Sequence, residues 1–209
     1  EEHPESGQRR LLASLLAAAC DTCFGTGHGF REIRCYEDFA GRVPVGDYAA
    51  MRGDVMRMVG GERDVLWPGV TRRFAQSSGT SDGKSKFIPI TWRNLSRGHY
   101  AGAAFSLASY LHYYPDSRVF GGKNFILGGS FANELELPAG VKVGDLSASL
   151  IDRINPLVNL FRIPSKRIAL MEDWTKKLPA LVEASMKADV RSISGVPSWF
   201  LTVLKRVTE

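Results

Sequence analysis

A layered α/β fold, with sheets flanked by helices, is what this sequence predicts, and three observations predict it. Short β-branched or aromatic runs alternate with stretches whose apolar residues recur at helical spacing. One apolar run, Asn124-Phe125-Ile126-Leu127, ends in Gly128-Gly129, the glycine-marked strand end that commonly borders a site in α/β sheets. Turn formers such as Gly60-Gly61 and Trp67-Pro68-Gly69 fall between the periodic segments and not inside them.

In chain order, Leu11, Leu12, Leu15, Leu16 and Ala19 predict a helix over 8–22, followed by a glycine-rich bend at Gly25, Gly27 and Gly29. Arg9-Arg10 before this apolar run, with Cys20 after it, imitates a lipoprotein signal. The acidic residues ahead of the basic pair are wrong for one, so the helix stands. Asp47 is placed to cap a helix that aligns Tyr48, Met51, Val55 and Met58. Strands are predicted over 70–75 and 87–90. Thr91 then caps a long helix to Tyr114, carrying Leu95, Ala103, Leu107, Tyr110 and Leu111. After the 124–129 strand, Asp173 caps a helix to Ala188, 190–193 forms a strand, and Pro197 opens a last helix in its first turn. No stretch reaches the roughly 18 apolar residues that cross a bilayer. The opening Glu1-Glu2-His3 and the closing Thr208-Glu209 read as cut ends of a longer protein.

The 209 residues carry a formal net charge of +5, yet the basic residues come as scattered pairs with acidic neighbours. A nucleic-acid surface would need them clustered on one face, so no nucleic-acid partner is expected. Cys20, Cys23, His28 and Cys35 approach the spacing of a zinc knuckle, but the last interval is two residues too long; no metal site is assigned. Three cysteines that cannot all pair suit a reducing cytoplasm.

The chemistry concentrates in Ser77-Ser78-Gly79-Thr80-Ser81-Asp82-Gly83-Lys84-Ser85-Lys86. Gly79 and Gly83 let successive amides turn inward as an anion nest. The hydroxyls of Ser77, Ser78, Thr80 and Ser81 add donors, and Lys84 or Lys86 supplies a point charge against polyphosphate. A Walker loop is excluded twice. Its glycines need four residues between them and here have three, and it must open into a helix, whereas Phe87-Ile88-Pro89-Ile90 reads as strand. The arrangement is strand, phosphate loop, strand.

Ser77-Ser78-Gly79-Thr80-Ser81 ahead of Lys86-Phe87-Ile88-Pro89 resembles the phosphate loop of the auxin-responsive Gretchen Hagen family of acyl-acid amido synthetases, a branch of the adenylate-forming superfamily. Phe24-Gly25, His28-Gly29-Phe30, Val43-Pro44-Val45, Leu66-Trp67-Pro68-Gly69, Gly144-Asp145-Leu146-Ser147 and Ile193-Ser194-Gly195-Val196-Pro197-Ser198-Trp199 agree with it in order along nearly the whole chain. The resemblance implies that residues 1–209 form part of the large N-terminal adenylation domain, with the phosphate loop at 77–86. The remainder of that domain and the C-terminal domain would then lie outside the chain.

It also implies a reaction in which ATP, with Mg2+, adenylates a carboxylic acid and an amine or amino acid then displaces AMP. By the same resemblance Lys86 is the catalytic lysine and Ser77, Ser78, Gly79, Thr80, Ser81 and Gly83 bind phosphate. Val196, Pro197 and Ser198 become candidates for the acyl pocket; against this, Trp199 and Phe200 would equally suit the core at a helix start. His99, Tyr100 and His112 on the long helix are read as packing or surface residues. Transfer to coenzyme A, as in acyl-CoA synthetases, and a non-catalytic nucleotide-binding module are the open alternatives. No membrane partner is implied, and the oligomeric state is open.

Overall fold

The computed structural model describes residues 3–77 and 85–208. It is a mixed α/β chain whose strands run β1 (Arg73–Ser77), β2 (Lys86–Pro89), β3 (Lys123–Ile126), β4 (Lys142–Gly144), β5 (Arg162–Ile163) and β6 (Val190–Ser194). The chain divides into two compact units, Glu1–Pro89 with Glu136–Lys142, and Ile90–Leu135 with Val143–Glu209.

In the first unit, helix α1 (Pro4–Ala19) starts with proline in its first turn, where the missing amide costs nothing. It ends three residues before the expected boundary because Thr22 turns the chain. The buried Thr22 hydroxyl donates to the Ala19 carbonyl at 2.7 Å and accepts from the Gly25 amide at 3.0 Å. The second bond caps α2 (Cys23–Gly27), so the expected glycine-rich bend holds a short helix. A Cβ at Gly25 would collide with the Ala19 carbonyl oxygen. Gly25→Ala is therefore expected to cost about 1–3 kcal/mol of stability, as overpacking does, read as a lower urea midpoint. An unshifted midpoint would mean that this corner yields.

The sequence reading missed α3 (Tyr36–Arg42), which begins where the Asp38 carboxylate accepts the Arg34 and Cys35 amides. It found α4 (Tyr48–Val59), capped by Asp47 through the Ala50 amide. Val55, Met58 and Val59 of α4 are buried, whereas Met51 is 42% exposed, although the periodicity aligned it with them. Strands β1 and β2 pair antiparallel in the register Phe74↔Pro89, Ala75↔Ile88, Gln76↔Phe87 and Ser77↔Lys86. Both lie one to three residues off their expected bounds. Phe74 and Phe87 supply their buried side, and the Lys142 amide donates to the Arg72 carbonyl on the other edge of β1.

In the second unit Thr91 caps a helical run through the Asn94 amide, as expected. The run is not uniform: α5 (Trp92–Asn94) passes through a π-helical stretch, Leu95–Tyr100, into α6 (Ala101–Tyr113). Strand β3 lies between β5 and β6, parallel to both. Helices α7 (Leu146–Arg153), α8 (Lys166–Ala169), α9 (Trp174–Met186) and α10 (Pro197–Thr208) complete this unit. Asp173 caps α9 and Pro197 opens α10, both as expected.

The core of this unit is Phe125, Leu127, Leu181, Phe200 and Val203, with Ile163, Trp174 and Trp199 packed against it. Successive strand residues face opposite sides. Phe125, Leu127 and Ile163 therefore look into this core, and Asn124, Ile126 and Arg162 look the other way.

Candidate functional site

Two places are candidates for a functional site, one in each unit. The first is the β1–β2 hairpin. Ser77 and Lys86 are register partners, so the segment between them leaves and re-enters the sheet at adjacent positions. Ser78, Gly79, Thr80, Ser81 and Gly83, all assigned to phosphate binding, lie outside the described residues. The base of the loop is well tied. Gln76 Nε2 donates to Ser85 Oγ at 2.9 Å, and Arg52 Nη1 donates to the Ser85 carbonyl at 3.3 Å. Tyr48 from α4 accepts the Phe87 amide at 2.8 Å and returns its hydroxyl proton to the Phe87 carbonyl at 3.3 Å. The Lys86 ammonium stands 5.7 Å from the centre of the Tyr48 ring, an orientation that the ring quadrupole favours. One helix thus fixes the backbone of β2 and steers its first side chain.

The second place is a cleft of about 1140 Å³ between the 92–107 helical stretch and the sheet β5-β3-β6. Trp92, Tyr100, Leu107, Phe120 and Phe161 give it apolar and aromatic walls. The π-helical stretch brings Ser96 and Tyr100 to the cleft, and the Tyr100 hydroxyl donates to the Leu150 carbonyl at 2.9 Å. Such widened turns recur at functional sites.

On the sheet side lie Asn124, Ile126, Arg162, Ser192 and Ser194. Arg162 is only 4% exposed. Its Nε donates to Asn159 Oδ1 at 2.7 Å and its Nη1 to the Pro164 carbonyl at 3.0 Å, while Nη2 is buried with no partner among the described residues. Burial holds its pKa below the ordinary arginine value. Asn124 Oδ1 is likewise buried and unpartnered.

The end of β3 is polar and crowded. The Gly129 amide donates to Ser147 Oγ at 2.9 Å and the Ser130 amide to Asp145 Oδ2 at 3.2 Å. A Cβ on Gly128 would meet Ile151, and one on Gly129 would meet Asp145. Behind them Lys177, 2% exposed, donates to the Gly128 carbonyl at 2.8 Å and lies 5.9 Å from the Trp174 ring centre. Burial lowers its pKa, and Asp145 acts in the opposite sense.

Of the acyl-pocket candidates, Val196, Pro197 and Ser198 are exposed at the start of α10, and none of them lines the cleft. Phe200 is core, and Trp199 stacks near Trp174 with ring centres 6.0 Å apart. The same chain segment reaches the cleft two residues earlier, through Ser192 and Ser194. Sequence reasoning missed Asn124, Arg162 and Lys177. The available signal was a lone arginine inside the apolar run Leu160-Phe161-Arg162-Ile163.

Cys20, Cys23 and Cys35 are free thiols. Cys20 Sγ bonds the Ala17 carbonyl, Cys23 Sγ accepts from Arg57, and His28 Nδ1 is 2.8 Å from the Phe24 carbonyl. Among the described residues no three His, Cys, Asp or Glu side chains converge on a metal position. A further cleft of about 920 Å³ between α1 and α3, walled by Leu11, Leu12, Leu15, Ile33 and Phe39, presents no buried unpartnered polar atom among the described residues. No helix among the described residues is long and apolar enough to cross a membrane.

Residues 1–180 match the model of the GH3 family N-terminal domain. Over 91 residues the chain is 33% identical to a probable indole-3-acetic acid-amido synthetase of Oryza sativa subsp. japonica, an alignment spanning 43% of this chain and 15% of the rice protein. Among solved structures it superposes on a GH3.15 acyl acid amido synthetase with a TM-score of 0.74 at 23% identity, covering 96% of this chain and 35% of that one. The same named synthetase in complex with 2,4-DB gives 0.76 at 22% identity, covering 97% and 35%. The chain therefore spans about a third of the length of those structures, and at such identity the likeness is one of fold.

Proposed function

Because this chain belongs to the GH3 family, its residues 1–180 matching that family's N-terminal domain, we propose that it is the ATP-handling part of an acyl-acid amido synthetase. ATP enters as a substrate. The carboxylate of a small acid attacks the α-phosphorus, the bond to the β-phosphate oxygen breaks, and pyrophosphate leaves; an amine, commonly of an amino acid, then attacks the acyl carbon, loses a proton and releases AMP. Positioning and charge neutralisation do most of the work in such a displacement. A carboxylate is already ionised at neutral pH, so no nucleophile-activating triad is required.

The observation that carries the proposal is the hairpin register. Ser77 and Lys86 face each other across the mouth of a hydroxyl- and glycine-rich segment, with Tyr48 holding the Phe87 backbone on the neighbouring position. In this reading Ser77, Ser78, Gly79, Thr80, Ser81 and Gly83 bind the β- and γ-phosphates. Lys86 offsets their charge, and Val196, Pro197 and Ser198 border the path of the acid. Mg2+, expected with ATP, has no ligand set among the described residues, and no step here runs through it. Three free thiols support a reducing, cytoplasmic setting.

The expected result is pyrophosphate exchange into ATP that depends on an added carboxylic acid. Amide and AMP should then form when an amino acid is supplied. Exchange without any acid, or a thioester with coenzyme A in place of an amide, would overturn the assignment.

A further inference from the structure

Asn124 and Arg162 form the most distinctive polar arrangement in the second unit. They are register partners on adjacent parallel strands, which stand about 4.8 Å apart, and both line the cleft. Each carries one buried side-chain atom without a partner among the described residues, a donor on Arg162 and an acceptor on Asn124. Buried polar atoms are almost always satisfied, because an unmet one forfeits its hydration. Here the two unmet atoms are complementary to a third group, and the remaining nitrogens of Arg162 are fixed by Asn159 and the Pro164 carbonyl. The guanidinium is therefore held in place before any ligand arrives.

We propose that Asn124 and Arg162 form a hydroxyl-binding subsite in the cleft, selecting carboxylic acids that carry a hydroxyl at the end remote from the carboxylate. A hydroxyl satisfies both atoms, accepting from Arg162 Nη2 while donating to Asn124 Oδ1. A carboxylate or ketone would leave the Asn124 oxygen facing a second acceptor. The position identifies which end of the acid is read. In parallel α/β sheets the reacting groups gather at the carboxyl ends of the strands, here at Gly128-Gly129. Asn124 lies four residues upstream, about 13 Å at roughly 3.3 Å per residue. Ile126, Trp92, Leu107 and Phe161 cover the intervening length with apolar surface, suited to a chain or ring between the two polar ends. This inference rests on the amido-synthetase reading for the role of the acid, but binding in the cleft can be measured without turnover.

The probes are dodecanoate, 12-hydroxydodecanoate, 12-methoxydodecanoate and 3-hydroxydodecanoate, titrated calorimetrically against the protein without ATP. 12-Hydroxydodecanoate is expected to bind at least about tenfold tighter than dodecanoate, since a hydrogen bond to a buried charged donor is being satisfied. The methyl ether, which accepts but cannot donate, should fall between the two, and 3-hydroxydodecanoate should bind no better than dodecanoate. Asn124→Leu removes the acceptor and leaves Arg162 Nη2, so it should cut the 12-hydroxy preference to the level that the methyl ether shows on the unaltered protein. The four-acid comparison on the unaltered protein stands even where that variant fails to fold. Equal binding of all four, a preference for the 3-hydroxy acid, no binding of any acid, or a 12-hydroxy preference undiminished in folded Asn124→Leu overturns the subsite; the unmet atoms then hold only water. Failure of the amido-synthetase reading is a separate result, the absence of acid-dependent pyrophosphate exchange.

Discussion

Lys86→Ala is expected to slow acid-dependent pyrophosphate exchange about a hundredfold while leaving the protein folded. The size follows from the role proposed for Lys86: losing one preorganised charge where negative charge builds up during phosphoryl chemistry typically costs about 3 kcal/mol in rate. Lys86 opens β2 opposite Ser77, with its ammonium over the Tyr48 ring. That contact is worth about 0.5–1 kcal/mol at a partly exposed position, so stability should change little. The loss should fall on kcat more than on KM for ATP, because the charge is needed most when pyrophosphate departs. Tyr48→Phe separates chemistry from positioning. It keeps the ring under Lys86 but removes both hydrogen bonds to Phe87, so a smaller loss of exchange is expected. Exchange by a well-folded Lys86→Ala protein at the original rate would remove Lys86 from the phosphate site.

Phe125→Ala is the substitution with the largest expected effect on folding, about 3–5 kcal/mol. Phe125 is 4% exposed in the middle of β3 and meets Phe200 edge-on, with ring centres 5.3 Å apart and planes at 86°. It packs in the cluster that joins the sheet to α9 and α10. Truncation loses the transfer energy of the ring and leaves a cavity that strands pinned on both edges cannot collapse into. Urea unfolding should show the loss as a lower midpoint with an unchanged slope. A change below about 1 kcal/mol would mean that the cluster is not the core of this unit.

The hairpin was legible because its signals are local. Pro89 excludes a helix after the loop, the short apolar runs mark two strands, and the glycines between them demand a turn. The caps at Asp47, Thr91 and Asp173 and the first-turn proline at Pro197 were read correctly for the same reason, since each acts on amides within one turn of itself. The end of α1 was misplaced because Thr22, a residue tolerated in a helix, instead bonds backbone on both sides of a corner. Helices α3 and α7 and the two-residue β5 were missed because short elements give too little periodicity to rise above their surroundings.

What the sequence by itself determined about this protein is its α/β class, its family resemblance and the pair of strands around its serine- and glycine-rich segment. All three are written in short windows of residue type and spacing. Only the tertiary structure decided that Asn124 and Arg162 are neighbours, that Met51 faces outward, and that Ser192 and Ser194, not Val196, Pro197 and Ser198, line the cleft. Strand pairing and register set the first and last of those outcomes, and the packing of helix α4 sets the second. A shift of one residue in register would turn each side chain of a strand to the opposite face of the sheet, and burial of one face against distant parts of the chain fixes that choice.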